Sequence, residues 1–148
     1  MPNQQIESAA VTRLASVSPK LLSRKLRVAG WLLHHDTETS TIMIHDGADA
    51  LLVDVSLCLS PYTPSPWLRE SRTIVMVLGY LESSEKAIPL PVLPAHAPIV
   101  DVNPRLVLRA IVAEEARDLD MALWNKAIQA QEECASRARG PQKNEDDE

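Results

Sequence analysis

An all-β domain with one terminal helix, its five strands closing as a Greek-key barrel, is the fold class the sequence predicts. Three observations predict it. Short period-two segments recur between residues 26 and 113, proline and glycine punctuate the intervals between them, and one segment of helical period follows near the C-terminus. The 148 residues suffice for one domain with one core. Because 45% of the residues are hydrophobic but only 3% aromatic, with no Phe, that core is aliphatic.

Residues 1–20 are polar with scattered Leu and Val, and Ser18-Pro19 breaks the chain before the first regular element. We therefore expect a partly flexible N-terminal arm over 1–20 and the folded domain over 21–139. The first strand starts at Leu26, where Leu26, Val28, Gly30 and Leu32 alternate with Arg27, Ala29, Trp31 and Leu33. A polar turn over Asp36–Ser40 leads to a second strand around Ile42 and Ile44, and Asp46-Gly47 turns the chain into a third at Ala50–Val55. Ser56–Leu59 suits a helical turn.

Pro61, Pro64 and Pro66 make the stretch from Ser60 to Ser71 a loop, since proline cannot donate to a central ladder. The fourth strand, Thr73–Glu82, is continuously apolar over Ile74–Leu78, which predicts cover on both its faces. Prolines at 89, 91, 94, 98 and 104 mark a long, stiff surface loop over 88–104. Arg105–Ala113 is the fifth strand. Asp118 or Asp120 can cap a helix over 118–139 that Gly140-Pro141 should stop, leaving a disordered acidic tail at 140–148. Five short strands with a terminal helix close most simply as a partly open OB-fold Greek-key barrel closed by the C-terminal α-helix.

Charge and cysteine usage narrow the function. The net charge is −5, and the tail from Pro141 sets Lys143 against Glu145, Asp146, Asp147 and Glu148, leaving the body near neutral. Tight solitary binding to nucleic acid normally needs a basic surplus. Cys58 and Cys134 match neither a metal motif nor a disulfide framework, which fits a reducing compartment. The longest nearly apolar run, Ile74–Leu81, is far below the ~20 residues of a membrane span.

The block Leu26-Arg27-Val28-Ala29-Gly30, the turn His35-Asp36-Thr37-Glu38-Thr39, Val53-Asp54-Val55, Val77-Leu78-Gly79-Tyr80 and the helix Leu119–Ile128 together resemble the Ten-one family. That family is the smallest OB-fold subunit of the CST telomere-capping complex. The resemblance runs over about residues 21–139, interrupted by the Pro-rich loop; Ser40 stands where the family often has Gly, and Cys134 where it often has an aromatic residue. It implies a non-enzymatic subunit without cofactor, nuclear and at telomeres. Such a subunit pairs with the N-terminal OB domain of the middle CST subunit, reaches single-stranded telomeric DNA mainly through the complex, and serves lagging-strand fill-in by polymerase α–primase indirectly. Alternatives are a small OB subunit of another genome-maintenance complex, replication protein A-like or RecQ–topoisomerase-associated, or an autonomous single-strand nucleic-acid-binding OB module.

The helix is the first candidate for the partner surface. Met121, Trp124, Ile128 and Gln131 lie at helical spacing, with Leu119, Leu123 and Ala127 beside them and Cys134 beyond, so the band is wide. The same band could instead serve the barrel's own core. Arg27 points away from the core by parity, and the resemblance assigns it to the partner; a solvated strand arginine is equally consistent. Trp31 shares that parity, to stack on a base or pack under a loop. Tyr62, Trp67, Arg69 and Arg72 interleave aromatics with cations, as single-strand binding does, although Trp67 also suits anchoring of its loop. His34, His35, Asp36, His45 and Asp46 do not converge as metal ligands: hairpin register puts His45 beside Trp31 or Leu32, about 13 Å along the ladder from His35. Neither cysteine has a base and a donor set for nucleophilic catalysis, and the four glycines form no phosphate loop.

Overall fold

The computed structural model describes residues 8–60, 65–69 and 73–146. The chain divides into two units, residues 1–118 and 119–148. In the first, six strands form one sheet: β1 (Ala10–Val11), β2 (Lys25–Asp36), β3 (Thr41–Asp46), β4 (Asp49–Asp54), β5 (Ile74–Ser83) and β6 (Leu106–Glu115). Their order is β1-β2-β3-β4-β6-β5, and β5 pairs back onto β2, so β2 to β6 close a five-stranded barrel. Within the barrel only β4 against β6 is parallel. This is the expected OB-type closure, with β1 added.

Alternation builds the interior. Leu26, Val28 and Leu32 of β2 meet Ile42, Ile44, Leu51, Val53, Val75, Val77, Leu81, Leu106, Leu108 and Ala110 in one buried cluster. Two turns hold β2, β3 and β4 in register. In the first, the Asp36 carboxylate accepts from the Glu38 amide at 3.0 Å and Ser40 adopts φ +54°; in the second, Gly47 supplies φ +61°. A bulge in β5–β6 falls at Gly79, where a Cβ would run into the Arg109 carbonyl and lie 2.9 Å from the Ala110 Cα.

Three expectations are corrected. From residue 8 the arm is built into the barrel: β1 runs parallel to Leu26–Arg27, the Thr12 amide donates to the Arg27 carbonyl at 2.9 Å, and Leu14 joins the core at 5% exposure. Val17 and Leu21 pack against the same cluster, because two 3-10 turns, Leu14–Ser16 and Pro19–Leu21, put these spaced apolar residues on one side. Second, the outward face of β5 is buried at Ile74 alone and open beyond it. Val75, Val77 and Leu81 are buried while Met76 and Leu78 are half-buried and Tyr80 is exposed, since a closed barrel turns every second residue outward. Third, the helix of the second unit runs Met121–Asp146, through the Gly140-Pro141 pair expected to stop it. Proline removes its own amide donor, and the turns on either side keep theirs.

At the middle of β3 and β4 both faces are covered. Met43 and Leu52 point outward, between inward neighbours, yet each is only 2% exposed. Over them lies the Pro-rich segment 88–100, here termed the strap. A cleft of about 410 Å³ has Met43, Leu52, His34 and Thr41 on one wall and Ile88–Val92 on the other.

Candidate partner interface

The second unit is a single helix, α1 (Met121–Asp146), and its start follows from its sequence. Asp120 is the cap, as expected: its carboxylate accepts from the Leu123 amide at 3.1 Å and its carbonyl from the Trp124 amide at 2.9 Å. That satisfies first-turn donors and sets a negative charge at the positive end of the helix dipole.

Helical spacing divides the predicted band into two faces. Met121 and Ile128, seven residues apart on one side, are the buried side chains of α1 among the described residues, with Ile128 3% exposed. Trp124 adjoins them half-buried, its indole N–H enclosed without an acceptor, and Leu119, before the helix, is half-buried. Leu123, Ala127, Ala130 and Cys134 lie at i, i+4, i+7 and i+11 on the opposite side, all exposed, with Leu123 at 64%. Gln131 is exposed at the edge of this second stripe rather than continuing the first. The seven-residue offset from Leu123 carried the signal for Ala130, which sequence reasoning passed over. Small side chains beside one Leu let a second helix approach closely.

Arg27 is exposed on β2, pointing outward beside Leu78 of β5, as parity required. Trp31 is half-buried opposite His45, and together with Leu33, Pro94, His96 and Pro98 it lines a cleft of about 720 Å³ under the strap. Trp67 is half-buried and packs against the core cluster. Arg69 ends the 3-10 turn Pro66–Arg69. Tyr62 and Arg72 lie outside the described residues.

The histidines sit where the register placed them. His45 pairs with Trp31 and His35 with Ile42, and no three ligand-type side chains converge among the described residues. Burial, reinforced by His34, pushes the His35 imidazole below its ordinary value against the opposing pull of Asp36. Burial likewise pushes the Cys58 thiol up, and its sulfur donates to the Ala110 carbonyl at 3.6 Å, so at neutral pH it is an inert thiol. The Asp36 carboxyl is held down by the Glu38 amide, a turn-forming role. No helix of the described residues is long and apolar enough to cross a membrane.

Comparison with known proteins bears on the family and the fold. A family described as a telomere-capping, CST complex subunit matches residues 5–137. The structure of the S. pombe Stn1–Ten1 complex contains a chain similar at a TM-score of 0.58 with 11% identity, over 89% of this chain and 99% of that one. Telomere-capping protein Ten1 from Saccharomyces pombe matches at 0.56 with 12% identity, over 86% of this chain and 100% of that one. An Entamoeba histolytica asparaginyl-tRNA synthetase also reaches 0.56 with 13% identity, over 80% of this chain but 26% of its own, which shows how widely the barrel itself is shared. No curated protein sequence matches the chain.

Proposed function

The chain belongs to the telomere-capping CST-subunit family, the Ten-one family, and from that premise we propose that it is the small subunit pairing with the middle, Stn1-type subunit. The family is non-enzymatic, and its place is a heterodimer. In this reading the partner's N-terminal OB domain is held by the barrel through Arg27 and by the free face of α1. Single-stranded telomeric DNA is reached mainly through the assembled complex, in the nucleus at telomeres, where the pair supports end protection and lagging-strand fill-in by polymerase α–primase.

One observation supports the pairing most directly. α1 carries two apolar faces, and the stripe Leu123–Ala127–Ala130–Cys134 is exposed. A helix that needed only one buried face would ordinarily be polar on the other. The near-neutral body agrees, because a subunit that holds DNA through a complex needs no large basic surplus of its own.

The test is co-expression with the middle subunit. The unaltered chain should co-purify in equal stoichiometry, and Leu123→Glu with Ala127→Glu should abolish co-purification while circular dichroism and the melting transition of the chain stay unchanged. Co-purification that survives the double substitution refutes the assignment of this face.

A further inference from the structure

We propose that the strap over 88–100 is the built-in occupant of the barrel's ligand groove and keeps the free subunit closed to single strands. This rests on the barrel alone and not on the partner assignment. A five-stranded barrel of this type takes its ligand on the outer face of its second and third strands, between the loop joining strands one and two and the loop joining four and five. Here those strands are β3 and β4, the first loop is the Asp36–Thr41 turn, and the second contains the strap.

The strap runs the length of that face. Near the first turn it encloses the cleft between Ile88–Val92 and His34, Asp36, Thr39 and Thr41. Further along, Pro94, His96 and Pro98 stand over Trp31 and His45. Met43 and Leu52, the side chains on which a base would rest, are each 2% exposed.

Its fastening suits a device that can open. At one end the Ile88 amide donates to the Pro104 carbonyl at 2.9 Å. At the other, the Ala50 amide donates to the Asp101 carbonyl at 3.0 Å and the Asp101 amide to the Ala48 carbonyl at 2.6 Å. Between these clamps Pro89, Pro91, Pro94 and Pro98 have no amide to donate to β3 or β4, so apolar contact holds the middle. Ile99 is 94% exposed, so the strap keeps a side turned to solvent. Its prolines also stiffen it, lowering the entropy lost on lying down.

No Lys or Arg lines either cleft among the described residues. What the strap displaces is therefore base stacking on Trp31 rather than phosphate pairing.

The experiment uses the full chain and a variant in which residues 89–99 are exchanged one for one with Gly and Ser. A labelled oligothymidylate of about 16 nucleotides, the upper site size of one such barrel, is titrated at low salt and followed by anisotropy. The strap variant should bind about tenfold or more tighter than the unaltered chain, the worth of one base stacked on an aromatic ring, and Trp31→Ala in that variant should remove the gain. A folded variant, with native circular dichroism and a cooperative melt, that binds no tighter overturns the proposal. So does a gain that Trp31→Ala leaves intact. If the full exchange does not fold, Leu90→Ser with Pro91→Gly, which removes contacts in the first cleft only, is read by the same two criteria. Co-purification with the middle subunit is scored separately, so failure here leaves the pairing reading standing.

Discussion

Truncating Leu14 to Ala tests whether the N-terminal arm is part of the barrel's core. Leu14 is 5% exposed and belongs to the buried cluster, so its loss removes the transfer energy of the deleted carbons and leaves a cavity. Fully buried Leu→Ala changes cost about 3 kcal/mol or more. For a chain of this size that lowers the melting midpoint by about 6–12 °C. The structure adds a second arm to the test. A Cβ on Gly30 would lie 2.8 Å from Leu14 Cδ1 and 3.0 Å from the His45 carbonyl oxygen, so Gly30→Ala alone should cost about 1–3 kcal/mol by overpacking. In the double variant the Leu14 conflict disappears while the His45 conflict remains. The two costs should then fall short of their sum by about 1 kcal/mol, a coupling that distant sites do not show. Urea unfolding of the four chains measures it. A midpoint shift below about 2 °C for Leu14→Ala, or additivity within about 0.3 kcal/mol, refutes the claim that Leu14 seats against Gly30.

Three further outcomes follow from single residues. Ser40 holds φ +54°, which costs an L-residue about 1 kcal/mol, so Ser40→Gly should be neutral to stabilising by up to about 1 kcal/mol despite the added chain entropy; a clear loss in denaturant midpoint counts against the turn geometry. The His35 imidazole lies below its ordinary 6.5 in the fold, so the unfolded chain takes up the proton first and stability falls as pH drops below about 6.5, ceasing to fall below the folded value. His35→Gln should flatten that slope between about pH 7 and pH 5, and an unchanged slope would assign it to other groups; Asp36, held low by the Glu38 amide, titrates beneath this window. With an aromatic thiol reagent near pH 8, exposed Cys134 should react fast and Cys58 slowly, the second thiol appearing only on denaturation, whereas two fast thiols would contradict the burial of Cys58.

Much of the barrel was readable in the chain because strand periodicity is a local property. The alternation of Leu26, Val28 and Leu32 with Arg27 and Trp31, the Asp36 turn and the Asp46-Gly47 turn together led to the observed pairing of His45 with Trp31. The cap at Asp120 was equally local. Burial of an outward face is not local. The run Ile74–Leu78 reads as doubly covered but beyond Ile74 is only half-covered on its outward face, while Met43 and Leu52, which sit in shorter apolar runs, are lined by a segment some forty residues later. The arm was misread for the same reason: a few apolar residues in a polar stretch say nothing of a cavity they can fill.

The candidate interface divides along the same line. Residue types and helical spacing placed an apolar band on α1 without the fold. Its separation into a buried pair, Met121 and Ile128, and an exposed stripe from Leu123 to Cys134 was not readable from residue type alone. By itself the sequence determined the order of strands, the turns between them, the helix and its cap, because propensity and period act over a few residues. Only the tertiary structure decided which faces water reaches. It put Leu14 inside the barrel and laid the strap across β3 and β4, since exposure is set by segments distant in the chain that sequence neighbours do not encode.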